Sequence, residues 1–141
     1  WQLACASPEL FVAREGDTLV TRPMKGTTAR GRWSADDEAR RDALRASEKE
    51  RAENVMIVDL LRNDLARVAE PGSVRVPALF DVERYPTVWQ MTSTIAATAR
   101  PGTTLGDLFA ALFPCGSVTG APKVAAMRRI AEVERSPRGP Y

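Results

Sequence analysis

Residues 9–26 alternate between apolar and polar side chains on either side of a short polar interruption at 15–17. Alternation with a period of two is typical of a strand that buries one face, and a glycine between polar residues favours a tight turn. The pattern predicts two antiparallel strands joined in a hairpin, with Lys25 at the end of the second strand. The Thr, Gly and Arg residues at 27–33 predict a loop.

A helical pattern follows in residues 34–70. Ser34 is placed to cap the helix, and acidic residues occupy the first turn, where the helix dipole favours them. A break near Ser47 is expected to divide the segment into two helices, and Pro71-Gly72 ends this region.

Residues 73–86 and 87–99 are rich in β-branched and aromatic side chains, which predicts two further strands of the same sheet. A short amphipathic helix at 104–113, a glycine-rich turn at 115–123 and a last helix at 124–134 complete the pattern. Together the elements predict an α+β fold, in which an antiparallel sheet carries helices packed on one face.

The composition fits one globular domain, because 141 residues with 44% hydrophobic side chains can bury a single core. The net charge of +2, with acids and bases interspersed, indicates no nucleic-acid partner, and the apolar runs are too short to cross a membrane. Cys5 and Cys115 lack CxxC spacing, and the first residues lack the features of a signal peptide. We therefore expect a cytoplasmic protein with free thiols.

The chain contains no histidine. This excludes the commonest general base, the Ser-His and Cys-His nucleophile pairs, and most zinc sites. Any catalysis must therefore use carboxylates, lysine, hydroxyls or a hard metal ion.

Residues 52–69 place most of their apolar side chains on one broad face when drawn at about 100° per residue. Glu53 falls inside this face, and Asp64 lies near it two to three turns later. A buried acid costs free energy unless it is paired or bound to a metal. The alternative is that Glu53 favours the helix N-terminus and points outward. The apolar face consists of Met56, Ile57, Val58, Leu60, Leu61, Leu65 and Val68.

The segment GSVTGAPK, residues 116–123, combines two glycines and two hydroxyl residues with a proline suited to the first position of a helix. Backbone N–H groups at such a turn can bind phosphate or carboxylate. The glycine spacing differs from that of the Walker A loop, so a nucleotide triphosphate is disfavoured. An ordinary entry into a helix is the alternative.

Four segments carry a resemblance to a known family: SPELF at 7–11, RPMKGT at 22–27, ENVMIVDLLRNDLARV at 53–68 and FPCGSVTGAPK at 113–123. In this order and spacing they closely resemble the chorismate-utilising enzymes, which share the anthranilate synthase component I-like fold. Anthranilate synthases typically carry a small residue at the position of Lys25. A lysine in PxKGT resembles instead the aminodeoxychorismate synthase component I branch of the family.

For that branch, the resemblance implies a glutamine-dependent amination of chorismate in p-aminobenzoate and folate synthesis. Lys25 would add to C2 of the chorismate ring as the C4 hydroxyl leaves, and ammonia would then enter at C4 and expel the lysine. A lysine acts as a nucleophile only when it is neutral. Glu9 corresponds to the family's general acid and base near the departing hydroxyl.

The resemblance also implies a metal site and a substrate site. Glu53 corresponds to a family ligand of Mg²⁺, a cation that prefers carboxylate oxygens. The glycine-rich turn is expected to hold a chorismate carboxylate, with Lys123 either adding charge there or solvated at the helix start. Many family members carry a histidine at the position of Gln90, which can still donate a hydrogen bond to a substrate oxygen. The expected substrate contacts are Gly26, Thr27, Gln90, Gly116, Ser117 and Thr119.

The family's chorismate-binding domain is longer than this chain. We expect residues 1–141 to be a fragment of that catalytic domain, truncated at both ends and inactive by itself. The expected partners are chorismate, a glutamine amidotransferase subunit or domain that supplies ammonia, and further copies of the chain bound through open sheet edges. The alternatives are an anthranilate synthase, an isochorismate or salicylate synthase, and a non-catalytic binding or assembly fragment whose charged helix at 35–52 faces a partner.

Overall fold

The computed structural model describes residue 2 and residues 4–137 of the chain. In chain order its elements are strands β1 (Leu10–Glu15), β2 (Thr18–Arg22) and β3 (Met24–Ala29), helices α1 (Ser34–Ala46) and α2 (Glu48–Ala66), strands β4 (Arg75–Arg84) and β5 (Val88–Thr98), and helices α3 (Leu105–Leu112), α4 (Gly116–Thr119) and α5 (Lys123–Val133). The strands form one antiparallel sheet, and α1 and α2 pack against one of its faces. The predicted α+β class is therefore confirmed.

Strand β5 is the centre of the sheet. It pairs with β4 along one edge, and along the other edge it pairs with β3 through residues 88–92 and with β2 through residues 95–98. Strands β2 and β3 thus follow one another along the same edge, with Pro23 between them. The carbonyl oxygen of Pro23 accepts a hydrogen bond from the backbone N–H of Ser93 at 3.2 Å, which keeps the chain against β5.

Strand β3 corrects two expectations from the sequence. The hairpin is confirmed, but β2 ends at Arg22, so Lys25 is the second residue of a third strand. The loop predicted at 27–33 is wrong in its first part, because β3 continues to Ala29. Proline interrupts β2 because it has no N–H to donate, yet the chain resumes pairing with β5 immediately afterwards.

The main core lies between the sheet and α2. Alternate residues of β5 face the helices. Ile95 is completely buried in this core, whereas Met91 is completely buried in a smaller cluster with Leu44 of α1. From α2, Leu61 and Leu65 are also completely buried. Burying a side chain of this size contributes about 1.5–3 kcal/mol, so this interface is the largest apolar contribution to the fold.

The two long helices begin in different ways. Ser47 divides them as predicted, and its hydroxyl accepts a hydrogen bond from the N–H of Glu50 at 3.3 Å, which caps α2. The expectation that Ser34 caps α1 is wrong, because Ser34 is the first helical residue and Trp33 occupies the cap position without a side-chain hydrogen bond.

Asp37 replaces the missing cap by binding the segment that precedes α1. Its carboxylate accepts hydrogen bonds from the N–H of Gly31 at 2.8 Å and from the indole N–H of Trp89 at 2.9 Å. The guanidinium of Arg30 forms a salt bridge with the same carboxylate. One acidic side chain therefore joins the start of α1, the preceding segment and β5.

The C-terminal helices α3 and α5 lie close to the predicted segments, with α3 one residue shorter at each end and α5 shifted by one residue. The segment at 115–123 contains the single helical turn α4 rather than an open turn, and Pro122 precedes α5 instead of opening it. Helix α3 packs on α2, and α5 packs on α4.

Within the described chain, no single helix is long and apolar enough to cross a membrane, and the bent pair Leu105–Thr119 and Lys123–Val133 meets that test only on combined length and composition.

Asparagine in place of Asp37 is expected to destabilise the fold near pH 7. The hydrogen bond from Arg30, helped by those from Gly31 and Trp89, holds the pKa of the Asp37 carboxyl well below its ordinary value of 3.8. The unfolded chain therefore takes up this proton first, so the stabilisation is complete at neutral pH and decreases as the pH falls below about 4. Urea midpoints measured near pH 7 and near pH 3 should show a deficit for D37N that shrinks at the lower pH.

The matched control is Asp42→Asn, because Asp42 is exposed and forms its salt bridge with the neighbouring Arg41. An exposed pair of this kind contributes little to stability, so the urea midpoint should be nearly unchanged. Equal midpoints for D37N and D42N near pH 7 would show that the Asp37 contacts do not stabilise the fold.

Candidate active site

Lys25 lies in a β-bulge of β3. Two residues, Lys25 and Gly26, lie opposite Met91 of β5, while pairing is in register before and after them. A bulge takes its extra residue out of the ladder and re-aims the side chain, and bulges are frequent next to active sites. Lys25 is partly buried and forms no salt bridge within the described part of the chain. The side chain of Lys25 therefore does not follow the regular alternation of strand side chains between the two faces of the sheet.

Gly26 is required at the bulge for two reasons. Its φ of 92° is a conformation that residues with side chains rarely adopt. A Cβ atom at this position would also lie 3.1 Å from Cβ of Glu50 and 3.2 Å from Cδ1 of Leu44. The glycine therefore allows the lysine-bearing strand to approach the start of α2 closely.

Gln90 lies on β5 opposite Thr27 and is only 8% exposed. Its Oε1 accepts a hydrogen bond from the hydroxyl of Thr27 at 2.6 Å. Its Nε2 donates to the carbonyl oxygens of Gly26 at 2.9 Å and of Met91 at 3.2 Å. Because an amide nitrogen carries two protons, this arrangement leaves no donor for the substrate contact expected from the sequence.

Glu9 contacts the glycine-rich segment at the other end of the chain. One of its carboxylate oxygens accepts a hydrogen bond from the hydroxyl of Ser117 at 2.8 Å and lies 3.6 Å from the thiol of Cys115. Glu9 directly precedes Leu10, which pairs with Arg22 in the hairpin, and Arg22 lies three residues before Lys25 in the chain. The sequence pattern did not single out Cys115, since a lone cysteine without a spacing motif carries no signal.

Backbone N–H groups of α4 donate hydrogen bonds to the carbonyl at the start of the same helix, and α4 packs closely on α2. The N–H groups of Val118 and Thr119 both donate to the carbonyl of Cys115. The N–H groups of Gly116 and Ser117 come too early in the helix to have a partner within it. A Cβ atom on Gly116 would lie 2.3 Å from Cδ2 of Leu60, so a larger residue here would have to displace the Leu60 side chain.

Glu53 is exposed, which corrects its predicted position inside the apolar face of α2. Its side chain is 47% exposed and lies 3.9 Å from the ammonium group of Lys49. Met56 is exposed as well, whereas the neighbouring Asn54 is completely buried. The buried face is thus rotated by about one residue, because the contact with the sheet decides which side of the helix is covered. Glu53 and Leu60 are seven residues apart and share one side of α2, about 10 Å apart along its axis.

Asp64 and Lys123 form a buried ion pair. Nζ of Lys123 lies 2.5 Å from Oδ2 of Asp64 and 3.0 Å from the carbonyl oxygen of Leu112, and the two side chains are 8% and 3% exposed. The expectation of a solvated Lys123 is therefore wrong, and its charge is neutralised by Asp64. The pair explains how an acid is tolerated near the buried face, and it ties the start of α5 to α2.

One exposed carboxylate of the predicted site, that of Glu53, is suited to bind a metal ion. Among the described residues, no group of three or more Asp, Glu, His or Cys side chains is placed to hold a metal. The exposed carboxylate of Glu53, with only a long contact to Lys49, suits one ligand of Mg²⁺. Water and substrate oxygens would supply further ligands.

The predicted site residues fall into two groups at different positions along α2. Gly26, Thr27 and Gln90 surround Lys25 near the helix start, where Glu50 contacts Gly26. Gly116, Ser117 and Thr119 form α4 beside Leu60, with Glu9 bound to Ser117. Glu53 lies between the two groups along the helix. A cavity of about 460 Å³ is lined by Pro114, Thr119, residues of α5 and the segment 134–137 that follows it, and Glu9, Lys25 and Glu53 are not part of that lining.

The whole chain matches the model of one protein family, the chorismate binding enzymes, over residues 1–141. The chain belongs to this family. Membership confirms the resemblance carried by the four sequence segments, and the antiparallel sheet with helices on one face agrees with the fold of solved family structures.

Relatives named for two different activities are about equally similar in sequence to this chain. A probable aminodeoxychorismate synthase of Oryza sativa subsp. japonica is 51% identical over 99% of the chain and 16% of the relative. Anthranilate synthase component 1 of Streptomyces coelicolor is 50% identical over 96% of the chain and 27% of the relative. The solved structure of anthranilate synthase component I from Streptococcus pneumoniae TIGR4 has a TM-score of 0.78 and 39% identity, covering 92% of the chain and 28% of that structure. The chain thus spans less than a third of each.

Methionine in place of Lys123 is expected to lower the free energy of unfolding by about 3 kcal/mol or more, because it leaves Asp64 buried without its counterion. The double variant Asp64→Leu/Lys123→Met should recover much of this loss, since it removes both charges. Lys49→Met is the control, because this lysine is 77% exposed and should change stability by less than about 0.5 kcal/mol. Urea denaturation measures all three, and equal effects of K123M and K49M would rule out a structural ion pair.

Proposed function

We propose that this chain is a segment of the chorismate-binding catalytic domain of an aminodeoxychorismate synthase component I. The enzyme would aminate chorismate at C4, with ammonia derived from glutamine. The observation that carries the proposal is the bulge in β3, which removes a partly buried lysine from the strand alternation next to α2. The 51% identity to the rice relative of that name supports the same activity.

Lys25 is the proposed nucleophile, and Glu9 is the proposed acid and base. The neutral amine attacks C2 of chorismate, both conjugated ring double bonds shift toward C4, and the C4 hydroxyl leaves as water with a proton from Glu9. Ammonia then attacks C4, both double bonds shift back and the protonated lysine nitrogen departs as the neutral amine, while the Glu9 carboxylate takes up the proton that the new C4 nitrogen loses. The hydroxyl of Ser117 orients Glu9 for both steps through its 2.8 Å hydrogen bond.

Helix α4 is the proposed site for a substrate carboxylate. The N–H groups of Gly116 and Ser117 and the side chain of Thr119 would bind the anion, and Gly26 and Thr27 would line the ring. Glu53 is the proposed ligand of Mg²⁺, which supplies positive charge to neutralise the substrate carboxylate when it is bound.

The proposed reaction requires partners that supply ammonia and complete the site. A glutamine amidotransferase subunit or domain would supply the ammonia, in the cytoplasm, for p-aminobenzoate and folate synthesis. The chain by itself is proposed to be inactive, because Glu53 is the one proposed carboxylate ligand of Mg²⁺ among the described residues. Strand β4 pairs only with β5 among the described strands, so its second edge is a candidate surface for self-association.

Anthranilate synthesis is the second candidate, favoured by the 50% identity to the enzyme from Streptomyces coelicolor. In that case Lys25 would not form a bond to the substrate. Product identity and the fate of Lys25 therefore distinguish the two reactions.

Alanine in place of Lys25 is expected to reduce the formation of 4-amino-4-deoxychorismate by at least about a thousandfold in the complete protein that carries this chain, because the nucleophile is lost. Mass spectrometry of the unmodified protein with chorismate, but without ammonia, should show an adduct on the peptide that contains Lys25. Lys49→Ala should retain both the rate and the adduct. A normal aminated product from K25A would disprove the nucleophile, and anthranilate as the product would support the second candidate.

Glutamine in place of Glu53 is expected to raise the Mg²⁺ concentration for half-maximal activity by about tenfold or more, because a neutral amide is a weaker ligand than a carboxylate. Titration calorimetry with Mg²⁺ alone should show the same loss of affinity. Asp59→Asn is the control, since this exposed acid of the same helix pairs with Arg62 at 3.0 Å. Identical Mg²⁺ affinity of E53Q and the unmodified protein would exclude Glu53 as a ligand.

A further inference from the structure

The bulge that carries Lys25 needs a contact that the sheet ladder does not provide. A β-bulge interrupts regular pairing, so its backbone groups require other partners. The carbonyl of Gly26, directly after the lysine, finds a donor in the side-chain Nε2 of Gln90. The next residue, Thr27, donates its hydroxyl to Oε1 of the same amide. Gln90 therefore holds two successive residues on one side of Lys25.

The amide of Gln90 is used completely within the protein. Its second Nε2 proton goes to the carbonyl of Met91, and the side chain is only 8% exposed. On the opposite face of the same strand segment, the side chains of Glu50 and Leu44 pack closely against Gly26. The bulge is thus held from both faces, by packing against the helices on one face and by a single buried amide on the other.

We infer that Gln90 is a positioning residue, which holds the bulge so that Lys25 reaches the substrate, and that Gln90 does not bind the substrate itself. The inference rests on the proposed function of Lys25 as a nucleophile. In this role, Gln90 does not donate the hydrogen bond to a substrate oxygen that is expected from the sequence.

The two roles predict different kinetics. Loss of a group that binds substrate and transition state equally raises KM and leaves kcat unchanged. Loss of a group that only positions the nucleophile lowers kcat, because the reacting atoms are less often in attack geometry. The ratio of the two effects therefore separates positioning from binding.

Three substitutions of Gln90 change its hydrogen bonds while keeping a side chain of similar size. Gln90→Met removes the donor and the acceptor, and Gln90→Glu keeps an acceptor for Thr27 but loses the donor to Gly26. Gln90→His can keep one donor and one acceptor, since neutral imidazole has one of each. In the complete protein we expect Q90M and Q90E to lower kcat roughly tenfold or more with KM within about twofold, and Q90H to retain most of the rate.

Hydrogen exchange supplies a readout that does not depend on catalysis. Peptides that cover residues 24–29 should exchange roughly tenfold faster in Q90M and Q90E than in the unmodified protein, and near the normal rate in Q90H. Thr92→Val is the matched control, because Thr92 is buried two residues away on the same strand and donates to Glu83 at 2.7 Å instead of to β3. This variant should leave both kcat and the exchange of residues 24–29 unchanged.

Each outcome decides one point. A raised KM with normal kcat in Q90M would show that Gln90 binds the substrate, and unchanged exchange of residues 24–29 would show that the amide does not hold the bulge. Either result overturns the inference. If the unmodified protein forms no aminated product and no adduct on Lys25, the proposed function fails, while the exchange measurement still tests whether Gln90 holds the bulge.

Discussion

The close packing of α2 against two glycines is the constraint on which the candidate site depends. Near the start of the helix, Gly26 lets the lysine-bearing strand approach Glu50, and further along, Gly116 lies directly on Leu60. Neither contact leaves room for a methyl group without displacing a neighbour. These contacts place the sheet and α4 directly against α2, with the two groups of candidate residues at different positions along the helix.

The acidic residues of α2 show how burial separates structural from functional roles. Asp64 is buried and neutralised by Lys123, so its charge is already used in holding α5 to the core. Breaking such a pair costs more than the pair itself contributes, because the remaining charge stays in an apolar environment. Glu53 lies on the same helix but is exposed, with only a long contact to Lys49, so its carboxylate can bind a ligand.

Family membership and activity rest on different observations. Membership follows from a match over the whole chain, whereas identities of 51% and 50% to an aminodeoxychorismate synthase and an anthranilate synthase do not separate the two activities. The proposed activity depends instead on one local feature, a lysine in a bulge. A bulge inserts a residue without altering the remaining pairs of the sheet, so it can change chemistry while the fold is conserved.

Local patterns in the sequence determined most elements of the fold. The hairpin, the break at Ser47 and the long strands β4 and β5 could be predicted, because period-two alternation, capping and β-branched runs act over a few neighbouring residues. The family motifs likewise located the candidate site residues along the chain. They could not show how these residues are held, because that depends on groups far apart in sequence.

Only the tertiary structure decided which residues meet and which side of α2 is covered. A helical wheel resolves a face to about 100°, so an error of one residue exchanged Glu53 for Asn54 at the buried position. The bulge at Lys25 arises because β3 pairs with β5, and the contact between Glu9 and Ser117 joins residues 108 positions apart. No local pattern encodes such contacts, since they form only when the whole sheet and its helices pack together.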